Sequence, residues 1–338
     1  MISINSNSFD FIRFFFAFNV LLAHLKELSQ SDDLLFLGHF SNSFIAVNGF
    51  FVISGFLVAK SYTNTPSLRT YFLKRIKRIL PAYVFVVLFS IFFFSFFSKF
   101  DFFQYFTDPQ LFEYLGWNMI FLNFMQPCLP ALFDNTIICA VNGSLWTIKV
   151  EESFYFFLPL LFFFIKRSNK PILILIIVYI FSILYFYFFK SYLGMPLIAK
   201  QLPGVLSYFS TGIFLFLYLK ILIRYKIQLL LFSIFVFIFS IKFSVFFLYP
   251  ISFGFVVILL AYSLPFFNNF GKYGDFTFGL YICHFPIIQL FKQLNYFEIY
   301  NPFYIGFLVV ILSLLFSIFS WFVIEKRFLD RYKKTAVK

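Results

Sequence analysis

Ten apolar runs, each near the length a helix needs to cross a bilayer, take up most of this 338-residue chain. A crossing requires about 20 consecutive, mostly apolar residues. The runs fall at 9–27, 42–60, 79–98, 146–165, 171–189, 204–223, 228–247, 250–267, 276–294 and 303–324. The chain is 62% hydrophobic and only 12% charged. An ordinary soluble domain carries about 25% charged residues, so most side chains here face something other than water. The expectation is an all-α integral membrane protein of about ten transmembrane helices. The 64 Phe serve against lipid as Leu would, and no function is read into them.

Charge sets the expected orientation. The formal net charge is +13, and most of the 27 Lys and Arg fall in five places: Lys60 to Arg78, Lys166 to Lys170, Lys220 to Lys226, Lys272, and Lys326 to Lys338. Short basic loops stay on the cytoplasmic side of a membrane. That accounts for the charge without nucleic acid, for which no separate soluble domain is long enough. If 60–78 is cytoplasmic, the run 79–98 leads outward. The next basic cluster must again be inside, so 99–145 is expected outside, with one crossing at 146–165. Both termini then fall in the cytoplasm. The piece 111–126 is short and interrupted. It reads as one re-entrant or interfacial segment packed on protein, because irregular backbone cannot face lipid.

The first run contains Asp10 and Arg13, and no small-residue cleavage site follows it. It is expected to be a retained first helix rather than a signal peptide. The domain reading is one membrane domain, 1–325, with a basic cytoplasmic tail, 326–338. Cys128 and Cys139 both lie in the proposed outer segment, and Cys283 lies in a span. A disulfide between the first two suits an oxidising compartment; two separate thiols remain the alternative.

Polar groups inside membrane helices are costly and need a reason. Arg13 and His24 are eleven residues apart, close to three turns, so they share one helix face about 16 Å apart along the axis. Asn19 lies between them. The bland readings are a cation that snorkels to lipid phosphate and a hydrogen-bonded core histidine. In the second run, Asn48-Gly49-Phe50-Phe51-Val52-Ile53-Ser54-Gly55-Phe56 permits close helix approach or shapes a polar groove. Arg75 and Arg78 are three apart on one side of a helix start, and arginine forks suit phosphate; topology alone is the alternative. The stretch from Asn142 to Tyr155 holds Ser144, Trp146, Lys149, Glu151 and Glu152. Glu151 and Tyr155 stack four apart on one face. A carboxylate there needs a partner or a proton. His284 stands two residues before Pro286, where a kink is expected; it packs, or it serves a site.

Five segments together resemble the acyltransferase-3 family of membrane O-acyltransferases. They are Arg13 to His24 with ten residues between, FFVISGF at Phe50 to Phe56, the RxxR and proline of Arg75 to Tyr83, SLWTIKVEESFY at Ser144 to Tyr155, and Gly271 to Pro286 ending in LYICHFP. Their order and spacing cover nearly the whole chain. The resemblance implies transfer of an acyl group, acetyl by preference, from cytoplasmic acetyl-CoA or another acyl-CoA to an extracytoplasmic carbohydrate at the inner membrane. His24 then matches the family's catalytic base and Glu151 the acid of its SLWxxxxE segment. Arg13, Arg75 and Arg78 would bind the donor. Asn48, Ser54, Trp146, Tyr155 and His284 would shape the site or contact substrate. No metal is invoked. The chain departs from many members in lacking a glycine soon after Arg13. It also lacks a fused extracellular hydrolase-like domain, which leaves room for a separate extracytoplasmic transferase as partner.

In the mechanism expected from sequence, His24 deprotonates the acceptor hydroxyl, and Glu151 orients His24 as a triad carboxylate does. A polytopic transporter or lipid-linked sugar flippase is the rival class, but paired broken helices with midplane charges are not evident. Acylation of a lipid or a peptide uses the same motifs and stays open.

Overall fold

The computed structural model describes residues 6–329. Residues 330–338 of the basic tail lie outside the described residues. Fifteen α-helices follow in chain order: α1 (Phe9–Ser29), α2 (Ser43–Thr63), α3 (Leu68–Phe94), α4 (Phe102–Thr107), α5 (Pro109–Met119), α6 (Trp146–Arg167), α7 (Pro171–Tyr187), α8 (Pro196–Ala199), α9 (Leu202–Leu222), α10 (Lys226–Lys242), α11 (Tyr249–Ala261), α12 (Thr277–Gln293), α13 (Tyr296–Ile299), α14 (Pro302–Phe319) and α15 (Lys326–Phe328). Among the described residues there is no strand, only an isolated antiparallel bridge between Cys128 and Ala140.

Local chemistry explains many of the boundaries. Pro109, Pro171 and Pro302 open helices, where the missing N–H is no loss. Asp101 and Gln104 form a capping box at the start of α4, each satisfying a backbone N–H of the other.

A helix occupies each of the ten apolar runs. Among the described residues, five helical segments are long and apolar enough to cross a membrane: Ser43–Thr63, Leu68–Phe97, Pro171–Tyr192, Pro196–Lys242 and Pro302–Phe328. A sixth is obtained if Phe246–Ala261 and Pro265–Lys272, bent by 67°, count as one. The helices that fall short do so for evident reasons. Both α1 and α6 carry several charged residues, and α12 has 17 residues. His24, Glu151 and His284 lie on these three helices.

The chain divides into two compact units. The first comprises residues up to Phe16, Phe44–Phe72 and Val150–Tyr273. Its centre is a close contact between α2 and α9. A Cβ on Gly55 would lie 2.2 Å from the Phe209 carbonyl oxygen, and one on Gly212 would lie 2.1 Å from that of Val52. Only glycine lets two helix backbones meet in this way. The Phe154 ring of α6 stacks on Phe209 at 3.9 Å. Gly49 gives way to the ring of Phe16.

The second unit comprises Ala17–Ser43, Leu73–Lys149 and the residues from Gly274 onward. Here α12 is buried along almost its whole length. Its Phe285, Ile288 and Phe291 share a core with Leu25 and Leu28 of α1, Leu34, Phe297, and Ile305 and Val309 of α14. Gly279 sits against the backbone of Ser317. Cys128 and Cys139 are joined in a disulfide, the pairing that the sequence left open. In both units many large apolar side chains point outward, including Phe92, Phe156, Leu231 and Phe307. A soluble surface seldom shows them in such number.

Candidate active site

In the second unit, His24 comes from the last turns of α1 and His284 from the middle of α12. His24 Nδ1 and His284 Nε2 are 2.8 Å apart. The two rings lie nearly parallel, 14° apart with centroids at 5.1 Å, and Phe285 meets His24 edge-on. His284 is fully buried and His24 half-buried. His284 Nδ1 lies 3.0 Å from the Leu280 carbonyl oxygen one turn back, and Ser144 Oγ lies 3.3 Å from His284 Nε2.

Pro286 explains how a remote loop reaches this point. A proline has no N–H, so the carbonyl four residues earlier loses its helical donor. That carbonyl belongs to Ile282, and Asn142 Nδ2 donates to it at 2.7 Å. Asn142 Oδ1 in turn accepts from the Ser144 N–H at 3.2 Å. Gly143 lies between them, where a Cβ would collide with the Phe285 ring. Further contacts lay the segment from Ile138 to Thr147 along α12. Gln289 Nε2 donates to the carbonyls of Ile138 and Ala140, each at 2.8 Å. The hydroxyls of Thr147 and Tyr281 are 2.7 Å apart. The Cys128–Cys139 disulfide ties down the start of the same loop. Asn19 of α1 does similar work nearby, bonding the Phe40 carbonyl and the Asn42 N–H.

The first unit holds a separate polar group. Glu151 Oε1 accepts hydrogen bonds from Tyr155 OH at 2.6 Å and from Ser54 Oγ at 3.0 Å. The four-residue spacing of Glu151 and Tyr155 is thus realised as a hydrogen bond. Glu151 was expected to orient His24. Within the first unit its Oε1 accepts from these two hydroxyls, and within the second the group on His24 Nδ1 is His284. Tyr155 is itself fixed by Tyr71, whose hydroxyl donates to the Tyr155 carbonyl. Asn48 is buried on α2, and its amide nitrogen has no acceptor among the described residues. Arg13 lies 3.8 Å from Asp10, one turn before it on α1.

The two arginines of the RxxR pair differ. Arg78 donates to Asp275 at 2.7 Å and to Glu325 at 3.2 Å, and both carboxylates are buried. Glu325 also accepts from Ser320. Arg78 therefore ties α3 to the start of α12 and to the end of the α14 segment, with its positive charge already matched. Arg75 is half-buried one turn earlier. Trp146 opens α6 and is partly buried; Lys149, one turn on, lies over the Phe124 ring at 4.3 Å.

Sequence reading named both histidines but not Asn142, Ser144 or Gln289 as their support. The available signal was Pro286. A proline inside a helix leaves one carbonyl in need of a donor, and the Asn142-Gly143-Ser144 turn supplies it.

The chain resembles known acyltransferases along its length. It is 27% identical over 335 residues to an O-acetyl transferase of Shigella phage Sf6, an alignment that covers 96% of this chain and 97% of that protein. It is 31% identical over 164 residues to nodulation protein 10 of Rhizobium leguminosarum, covering 45% of this chain and 43% of the relative. It is 28% identical over 126 residues to the peptidoglycan O-acetyltransferase OatA of Listeria monocytogenes, covering 34% of this chain and 19% of OatA. No solved structure matches. The family model described as an acyltransferase domain matches residues 6–324, and the chain belongs to this acyltransferase-3 family.

Proposed function

We propose that the protein transfers an acetyl group from cytoplasmic acetyl-CoA to a hydroxyl of a carbohydrate on the outer side of the inner membrane. The observation that carries this reading is the His24–His284 pair: an imidazole at 2.8 Å from a second, buried imidazole, on a helix that the family's motif marks. An O-acetyl transferase aligned from end to end and a peptidoglycan O-acetyltransferase over part of its length support a sugar over a lipid or peptide acceptor. They also favour an enzyme over a flippase.

In the proposed step His24 takes the proton of the acceptor hydroxyl as its oxygen attacks the thioester carbonyl. The C–O bond forms, the C–S bond breaks, and the proton leaves with the thiolate of the donor. Arg78 is engaged by two carboxylates, and Arg75, one turn earlier on the same helix, is proposed for the donor's phosphates. The buried donor of Asn48 suits a substrate carbonyl or hydroxyl. In this reading the chain crosses the membrane ten times with both ends inside. The segment 99–145, which holds α4 and α5, lies outside, and a disulfide in that segment agrees with an oxidising compartment.

The test is mass spectrometry of envelope glycans from cells lacking the gene and carrying either the wild-type chain or His24→Ala. The wild type should restore a mass increment of one acetyl group per modified sugar. His24→Ala should not, at equal abundance in the membrane. Full restoration by His24→Ala would remove the base from the mechanism.

A further inference from the structure

The hydrogen bonds around His284 fix where the protons must be. The Leu280 carbonyl oxygen can only accept, so the nitrogen 3.0 Å from it, His284 Nδ1, carries a hydrogen. In a neutral ring the other nitrogen is then bare. That nitrogen, Nε2, is the one 2.8 Å from His24 Nδ1. Two bare nitrogens cannot bond each other, so His24 Nδ1 carries the hydrogen and donates it. His24 is left with its lone pair on Nε2. Ser144 Oγ, at 3.3 Å, donates a second, longer bond to the same His284 nitrogen.

We infer that His284 is a positioning residue for the acyl transfer: it holds His24 in the Nδ1–H tautomer and so presents His24 Nε2 as the base. This rests on the reading of His24 given above. The arrangement does what the carboxylate does in a serine-hydrolase triad, with a neutral ring as the acceptor. The proton balance is simple. The acceptor hydroxyl gives its proton to His24 Nε2, and the oxygen bonds the thioester carbon. The thiolate departs and takes the proton back. His284 exchanges no proton in the cycle. While His24 is a cation, its Nδ1–H still points at His284 Nε2, and a bond from a charged donor is the stronger one. One contact therefore serves both states without rearrangement. The rest of the site holds that contact in place. Burial of His284, its bond to Leu280, and the Asn142 bond that occupies the carbonyl orphaned by Pro286 all fix the acceptor ring.

The experiment uses inverted membrane vesicles containing the full chain, supplied with radiolabelled acetyl-CoA. The readout is label transferred to the host's own envelope glycan. His284→Ala removes the acceptor. His284→Gln puts an amide oxygen close to where Nε2 was. His284→Ala should lower kcat by about a hundredfold or more, within the ~10²–10⁴ that a positioned base supplies, with the KM for acetyl-CoA unchanged within twofold. His284→Gln should recover at least tenfold of the loss. Wild-type kcat in His284→Ala, or a His284→Gln variant no faster than His284→Ala, would overturn the inference. Solid-state ¹⁵N NMR of histidine-labelled wild-type protein in lipid reads the tautomer directly, whatever the variants do to folding. It should show a protonated Nδ1 and a bare Nε2 on His24, and the opposite tautomer would also overturn the inference. The NMR result does not depend on turnover. Full activity in His24→Ala would sink the catalytic reading and with it the positioning role of His284, and the spectrum would then test the tautomer assignment by itself.

Discussion

Arg78 shows how a motif residue can be claimed by its surroundings. Its guanidinium faces Asp275 and Glu325, which are 7% and 1% exposed, while its own side chain is 18% exposed. Removing one partner of a buried ion pair costs about 3–5 kcal/mol, because the charge left behind has no match. Arg78→Ala should therefore lower the detergent melting temperature clearly, and an unchanged melting temperature would contradict the pairing. Under the proposed donor site, Arg75→Ala should raise the KM for acetyl-CoA several-fold, and an unchanged KM would remove it from that site. Sequence spacing placed both arginines on one side of α3, and that much needed only helix geometry. It could not separate them, because the partners of Arg78 lie some two hundred residues further along the chain. The same limit applied to Glu151. Its bond to Tyr155 was legible as a four-residue spacing, whereas its bond to Ser54 on α2 was not.

Helix α12 is the element on which local sequence and distant packing meet. Pro286 takes one donor out of the helix and Asn142 replaces it across the fold. Asn142→Ala should cost roughly 1–3 kcal/mol, the penalty for leaving a buried carbonyl unmatched. Pro286→Ala restores the N–H that the carbonyl lacks. In the double variant most of the Asn142→Ala loss should disappear, since residues that share one partner do not act additively. Thermal melting of the two single variants and the double variant measures that coupling, and simple additivity would contradict it. Helix existence along α1, α2, α3 and α12 was readable from apolar length alone. The lost helical hydrogen bond at Pro286 was readable as a consequence of proline. The group that replaces it was not, since nothing local to Asn142 points to a residue so far along the chain.

At the scale of the whole molecule, membrane insertion rests on apolar length and on the placement of basic residues. Five to six helical segments meet the criteria of length and apolarity. Helices α1 and α6 fail them because they carry several charged residues. The ten-span topology predicts that a reporter inserted near residue 125 reads as extracytoplasmic and one inserted near residue 168 as cytoplasmic. Activity with the opposite pattern would invert the proposed sides of donor and acceptor. The fold class and the family followed from patterns spread over the chain, which is why so much could be read without coordinates. The two-unit division could not. It depends on how segments separated by a hundred residues or more gather together, and hydropathy carries no record of that.

The amide of Asn142, set into the gap that proline opened, has one more consequence. Random mutagenesis should yield inactive proteins altered between residues 138 and 144, at positions outside the proposed donor and sugar contacts. Such alleles would still insert, accumulate and bind acetyl-CoA. Their defect would be a ring turned the wrong way by a loop that had let go of it.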